Sequence, residues 1–225
     1  MTWDGSEFLT DSEGNSVANP RHLRKAEKRL KRLHRRLSRK QKKSQNRKKA
    51  RKHLAKGYLK VQRQREDFAR KTASTLISSS DLIAYEDLKI RHMVKNRHLA
   101  KSISDAAWGR FLAWLRYYGS LLDIPVIAVE PAWTSQVCSG CGKIVKKALS
   151  VRTHVCPFCG LVLDRDHNAA KNVLEKAIHG TGGQSGTASP SLEDEGNAWG
   201  DASATAVFAR MPPQDASWNQ EPPRL

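Results

Sequence analysis

The chain has 225 residues, a formal charge of +18 and 39% hydrophobic residues, enough for one medium domain or two small ones with a real core, though the hydrophobic share is lower than usual for a compact enzyme. No stretch approaches the ~18 consecutive apolar residues of a membrane span, and Met1 is followed by acidic and polar residues, so the expectation is a cytoplasmic protein with neither membrane segment nor signal peptide. The charge is uneven: Arg21 to Lys71 holds 24 Lys or Arg against three acids, and Gly182 to Leu225 holds two against six.

The first twenty residues read as a short strand, a turn over Asp11 to Asn15 and a second short strand, closed by Asn19-Pro20. Residues 21–56 then read as a long helix. Leu23, Leu30 and Leu37 recur seven apart, with Ala26 and Leu33 between them, a narrow apolar seam on a cationic rod. Residues 38–46 break that rhythm as a hinge. Ala50 and Leu54 resume it, Gly57 interrupts, and Val61, Phe68, Thr72 and Leu76 carry a second helix. The expectation is an antiparallel helical hairpin. So basic a block attracts polyanions, nucleic acid first. Its candidate phosphate contacts are Arg24, Lys28, Arg32, Arg35, Arg36, Arg39, Lys48 and Arg51. The bland alternatives are a solvated helix that binds nothing specific, or a coiled-coil spacer.

"DLIAYEDL", residues 81–88, suits a buried strand with Glu86 and Asp87 at its C-terminal end. Carboxylates at strand ends are a common catalytic placement in α/β folds, and equally an ordinary solvent-facing terminus. Residues 89–101 are weakly patterned. Ser104 suits a helix cap, and Trp108, Phe111, Leu112, Leu115 and Tyr118 form the core face of a helix that Gly119 ends. Residues 124–130, "IPVIAVE", give a second buried strand.

Cys138-x2-Cys141 and Cys156-x2-Cys159 lie 14 residues apart, each pair followed by a glycine that lets the backbone turn toward sulfur. Four thiolates at that spacing fit tetrahedral Zn²⁺ with no open position, a structural site, with an iron–sulfur cluster as the rival. Lys143, Lys146, Lys147 and Arg152 on the arms suit phosphate contacts, and His154 is expected on the ribbon surface. "DRDHNAAKNVLEKA" opens a helix. Asp164 or Asp166 is either its N-cap or, with Glu86, part of a Mg²⁺ site of the kind that activates water in phosphodiester cleavage. The tail from Gly180, rich in Gly, Ser, Ala and Pro, reads as disordered and leaves Trp199 and Trp218 unexplained.

Taken together, "AYEDL", "EPAWTSQVCSGCG", "CPFCG" and "DRDHNAAKN", with the basic run from Asn19 and the ending "NQEPPRL", resemble the TnpB (OrfB) family. These are transposon-encoded, RNA-guided DNA nucleases related to the type V CRISPR effectors, and the resemblance covers nearly the whole chain. It implies an α/β fold: a partial RNase H-like (RuvC) domain with an inserted basic helical hairpin, an inserted zinc ribbon and a disordered C-terminal tail. The implied divisions are first strands in 1–20, hairpin in 21–80, RuvC-like core in 81–132, ribbon in 133–163, final motif and helix in 164–179 and tail in 180–225. The resemblance further implies Glu86 and Asp166 as catalytic Mg²⁺ ligands, with Asp164 in support. It implies guide RNA and target DNA as partners, and no small-molecule substrate. The family's first catalytic Asp lies in a strand resembling "GIDxG"; lining up the hairpin puts Thr2 near that position, with Asp4 the nearest carboxylate. The expectation is therefore an N-terminally truncated, nuclease-deficient chain with an exposed sheet edge. The alternatives are a binding-only regulator, a partner of a longer isoform, or a decayed gene fragment.

Overall fold

The computed structural model describes residues 7–148 and 151–180, and the backbone alone of 206–211. Strands β1 (Glu7–Thr10) and β2 (Ser16–Ala18) form the expected antiparallel hairpin. Asp11 builds its turn: Oδ1 accepts the backbone N–H of Glu13 at 3.0 Å and of Asn15 at 2.9 Å. Gly14 supplies the φ of +88° that the reversal needs.

Helices α1 (His22–Ser38) and α2 (Gln45–Ser78) are the basic hairpin. The chain reverses where the apolar rhythm lapses, and Ser44 caps α2 by accepting the Arg47 N–H at 3.2 Å. The second break expected at Gly57 is absent. α2 runs through it, because one glycine costs a helix only ~1 kcal/mol, too little to stop one that is packed on both sides. Gly57 instead marks a close approach: a Cβ there would lie 3.1 Å from Leu30 Cδ2 and 3.2 Å from Leu33 Cδ1. The predicted seam is real, with Leu30, Leu54 and Val61 buried between the helices and Leu23, Ala26, Leu33 and Leu37 packed against them.

β3 (Leu82–Glu86) is followed by α3 (Ile90–Met93), α4 (Ala100–Ala106), α5 (Trp108–Leu121) and β4 (Val126–Val129). Ser104 lies inside α4 and caps nothing; the corner between α4 and α5 is Ala107, at φ 56°. Nor does Gly119 stop α5. A Cβ there would collide with the Val126 side chain, so the glycine lets α5 lie close on β4. β5 (Thr153–Val155) and β6 (Val162–Asp164) form a separate two-stranded sheet, and α6 (Arg165–Gly180) follows directly.

β7 (Ala206–Met211) corrects the expectation of a disordered tail over 180–225. In the five-stranded sheet, of order β2-β1-β7-β3-β4, it runs parallel to β1 and antiparallel to β3, filling the position between them. Trp199 and Trp218 lie outside the described residues, as do Thr2 and Asp4. β3 and β4 are parallel, with Ile83 opposite Val126 and Glu86 opposite Val129.

Each face of the sheet has its own core. Ile83 and Tyr85 face a layer made by Ala69, Ala73 and Ile77 of α2 with Trp108, Phe111 and Leu115 of α5. Ala84 and Val129 face Ala169, Ala170, Val173 and Ala177 of α6, whose small side chains let that helix come close. Among the described residues no helix is long and apolar enough to cross a membrane.

The hairpin is tied to this body by Asp105 of α4. α1 has no side-chain cap of its own. The Asp105 carboxylate accepts the backbone N–H of Leu23 at 2.7 Å and of Arg24 at 3.0 Å, and pairs with Arg65 of α2 at 3.1 Å. One buried anion thus caps one helix and clamps the other. Replacing it strands a largely buried guanidinium and two helix N–H groups, so Asp105→Ala should lower unfolding free energy by about 3 kcal/mol in urea titration; a change under about 1 kcal/mol would mean the hairpin is held elsewhere.

Candidate active site and metal centre

Strand alternation decides where Glu86 points. Ile83 and Tyr85 enter the α2–α5 layer, so Ala84 and Glu86 face α6. The first turn of α6 holds Asp166, at the head of the same stripe as Ala169, Ala170, Val173 and Ala177. Both carboxylates are buried, and Asp166 is close enough for its charge to act on Glu86. Asp164, not Asp166, is the N-cap: its Oδ1 accepts the N–H of Asp166 at 2.8 Å and of His167 at 3.3 Å. That leaves the Asp166 carboxylate free of capping duty. Glu130, at the end of β4, is exposed and takes no part.

The two carboxylates have different surroundings. Asp166 lies 3.1 Å from Arg165 Nε and 3.4 Å from an Arg152 guanidinium nitrogen. Glu86 makes no ion pair among the described residues, and burial pushes its carboxyl up to about 7, against the Thr134 hydroxyl that pulls it down, with Asp166 adding repulsion and the more distant Lys176 and Arg165 charges pulling it down. Thr134 Oγ1 lies 2.5 Å from Glu86 Oε1 and 3.0 Å from the Pro131 carbonyl. A hydroxyl has one proton. When Glu86 is protonated it donates to Thr134, which donates to Pro131; when Glu86 ionises, Thr134 turns its proton to the carboxylate and the carbonyl loses it.

Thr134 is placed by α6. Asn172 Nδ2 donates to the carbonyls of Thr134 and Val137, both at 2.7 Å. Asn168 Nδ2 donates to Val137 O at 2.7 Å, and its Oδ1 accepts the Ser139 N–H at 3.0 Å. The segment leading into the first cysteine pair is thus fastened to the helix that carries Asp166. Thr134, Asn168 and Asn172 were missed as site residues; the four-residue spacing of the two asparagines was the available signal.

The cysteines converge as their spacing predicts. All four Sγ atoms lie within 4.8 Å of one another, with Cys138–Cys159 and Cys141–Cys156 each at 3.6 Å. A tetrahedral Zn²⁺ with bonds of ~2.3 Å needs sulfurs about 3.7 Å apart, so the residues fit the ion. Gly142 and Gly160 take φ of +70° and +74°, and both donate to the carbonyl of the first cysteine of their pair, at 2.9 and 3.0 Å. Backbone N–H groups of Cys159 and Phe158 point at the Cys156 sulfur and favour its thiolate, while the crowding of the four sulfurs pushes the Cys159 thiol the other way.

The basic residues divide. Arg24, Lys28, Arg32, Arg35, Arg36, Arg39, Lys48 and Arg51 are exposed on the hairpin, and Lys146 is exposed on the ribbon arm. Arg152, also on the ribbon, is partly exposed and lies 3.4 Å from Asp166. Lys143 lies over the Phe158 ring, 4.5 Å from its centroid. His154 is fully buried, not on the ribbon surface; Lys147 Nζ approaches its Nδ1 to 2.6 Å, and burial holds both groups' pKa values down.

Comparison with known proteins places these features in context. A family model described as "Probable transposase" matches residues 6–97, and one described as "Cas12f1-like, TNB domain" matches residues 108–173. A Streptomyces pristinaespiralis protein named "Putative RNA-guided DNA endonuclease" is 37% identical over 77% of this chain and 43% of its own length. A protein of Acanthamoeba polyphaga mimivirus named "TnpB-like protein L79" is 38% identical over 31% of this chain and 13% of its own. The chain therefore spans less than half the length of these relatives.

Two outcomes follow from the geometry. Glu86 binds its proton more tightly folded than unfolded, so stability is fullest below about 4.5 and falls as pH rises through about 7, by at most roughly 3 kcal/mol. Urea titrations with Zn²⁺ and without Mg²⁺ should show that slope, and Glu86→Gln should flatten it. Asn172→Ala leaves the Thr134 carbonyl without its donor, Val137 O keeping Asn168, and should cost about 1–2 kcal/mol; an unchanged midpoint would show that the segment before Cys138 is fastened by other means.

Proposed function

Because the chain belongs to the TnpB (OrfB) family, we propose that it grips nucleic acid with the α1–α2 hairpin and carries, in Glu86 and Asp166, two carboxylates of a RuvC-type site for RNA-guided DNA cleavage. It is a transposon-associated, nucleic-acid-acting protein. The observation that carries the proposal is the convergence of Glu86 and Asp166, 80 residues apart in sequence, on the α6 face of one sheet, both buried. An antiparallel β1–β2 hairpin beside parallel β3 and β4, with α6 across one face, supports the finer reading of an RNase H-like domain. On that reading the α1–α2 hairpin and the cysteine ribbon are insertions, with Zn²⁺ held by Cys138, Cys141, Cys156 and Cys159. Guide RNA and target DNA are the proposed partners.

Mg²⁺ at Glu86 and Asp166 would supply the charge that activates water and steadies the leaving oxygen. The chain's own groups resist it. A cation must displace the proton from Glu86 and compete with Arg152 and Arg165 for Asp166. Binding of nucleic acid should therefore be the dominant activity and cleavage slow or absent, which keeps a binding-only role as the second reading.

The test is affinity for single-stranded RNA and DNA at rising salt. On α1, Arg24, Lys28, Arg32, Arg35 and Arg39 succeed one another at four, four, three and four residues, one face of a helix. If four or five of these contact phosphates, affinity should fall by one to two orders of magnitude between 50 and 200 mM salt. Arg24→Glu with Lys28→Glu should weaken binding and flatten the slope, whereas Glu86→Gln should leave binding intact and remove any Mg²⁺-dependent cleavage. Binding indifferent to salt and to the α1 charges would remove the hairpin from the function.

A further inference from the structure

Between two tight contacts the helices of the hairpin part. Gly57 touches Leu30 and Leu33 at one end, and Arg65 meets Asp105 below α1 at the other. The space between them is a cavity of about 230 Å³. Ala26, which lines it, has too short a side chain to fill it. Its floor is apolar: Leu30 and Val61 are buried in the seam beneath. Its rim is cationic. Lys25, Arg29 and Lys60 line it and are exposed, no carboxylate lines it, and among the described residues none of these three has a carboxylate partner. Two neutral hydrogen-bonding side chains complete the lining, Gln64 and His22, and His22 Nε2 is buried with no partner.

We propose that this cavity binds one unstacked nucleotide of the bound strand, its base on the Leu30–Val61 floor and its phosphate among Lys25, Arg29 and Lys60. The proposal rests on the nucleic-acid reading above and goes beyond it. The backbone contacts there lie on exposed lysines and arginines of the outer faces; this site takes a base. Each part of the lining has a matching part of a nucleotide. An apolar floor adds nothing to the binding of a bare phosphate, whereas a heterocycle gains from it. A space below the ~300–1,000 Å³ of drug-sized pockets admits one planar base and no more. Gln64 offers a donor and an acceptor to the base edge, and the His22 ring, which lines the cavity, reports on its occupancy. Apolar contact with a base face is tolerant of sequence, as a protein that accepts different strands requires. Single-stranded RNA, whose bases splay out readily, is the fitting donor of such a nucleotide.

The experiment uses the full chain loaded with Zn²⁺. AMP and inorganic phosphate are titrated separately while the His22 imidazole resonance, assigned through His22→Gln, is followed by NMR. Affinity for a single-stranded RNA is measured in parallel. AMP should shift the His22 resonance saturably, and phosphate should not. Ala26→Met, which fills the cavity, should abolish the AMP shift and weaken RNA binding roughly five- to tenfold. Lys60→Gln, on an exposed rim, gives a second variant whose folding is not at risk and should weaken AMP. An equal shift by phosphate alone would reduce the cavity to an anion site and overturn the proposal. RNA binding that is normal and indifferent to Ala26→Met, with no AMP shift, would overturn it while leaving the nucleic-acid reading intact. A chain that binds no RNA would overturn both.

Discussion

A strand shows its side chains alternately to two faces, and β3 lies between two helical layers that want different things. One layer is large and aromatic, and takes Ile83 and Tyr85. The other is α6, which presents alanines and takes Ala84. Glu86 is two residues on from Ala84, so it has no choice but to face α6. A one-residue slip of β3 against β4 would turn Glu86 into the aromatic core and break both layers at once. The acid site is fixed by the packing of residues that have no chemistry of their own.

The second constraint is the fastening of the ribbon. Asn168 and Asn172 hold the carbonyls and N–H of the segment that runs into Cys138. That segment contains Thr134, the hydroxyl that meets Glu86. α6 itself starts directly from β6 of the ribbon, with Asp164 as cap and Asp166 in its first turn. Both approaches to the ribbon, outgoing and returning, thus carry a member of the acid site or its positioning group. The cysteine cluster thus lies between the two chain segments that bring Thr134 and Asp166 to Glu86.

The hairpin is joined to the body by a different device. Its own N-terminus has no capping side chain, and the cap comes from Asp105, more than 80 residues away in sequence, which also draws in Arg65 of the second helix. So many lysines and arginines on two adjacent helices repel one another, and α1–α2 packing along a narrow seam of leucines offsets that only in part. An anion at the base, and a polyanion along the faces, are the physical complements of such a structure.

The periodic parts of this fold were legible in sequence because their causes are local. Heptad leucines predict the hairpin, short continuous apolar runs the buried strands, turn chemistry at Asp11 to Asn15 the first reversal, and paired cysteines with following glycines the ribbon. Local propensity misled where a partner outweighed it: Gly57 and Gly119 do not break helices but allow close contact, Ser104 lies mid-helix, and residues 206–211 form a strand despite a tail composition that suggests none. Sequence could nominate Glu86 and Asp166 but not the burial that raises the Glu86 carboxyl, because a carboxylate's pKa depends on what surrounds it. Only the tertiary structure set Arg152 and Arg165 against Asp166, buried His154, and opened a cation-rimmed cavity between helices that sequence alone shows as a continuous seam. The reason is that burial and charge proximity are properties of folded neighbours, and those neighbours come from sequence positions too far apart for any local pattern to register.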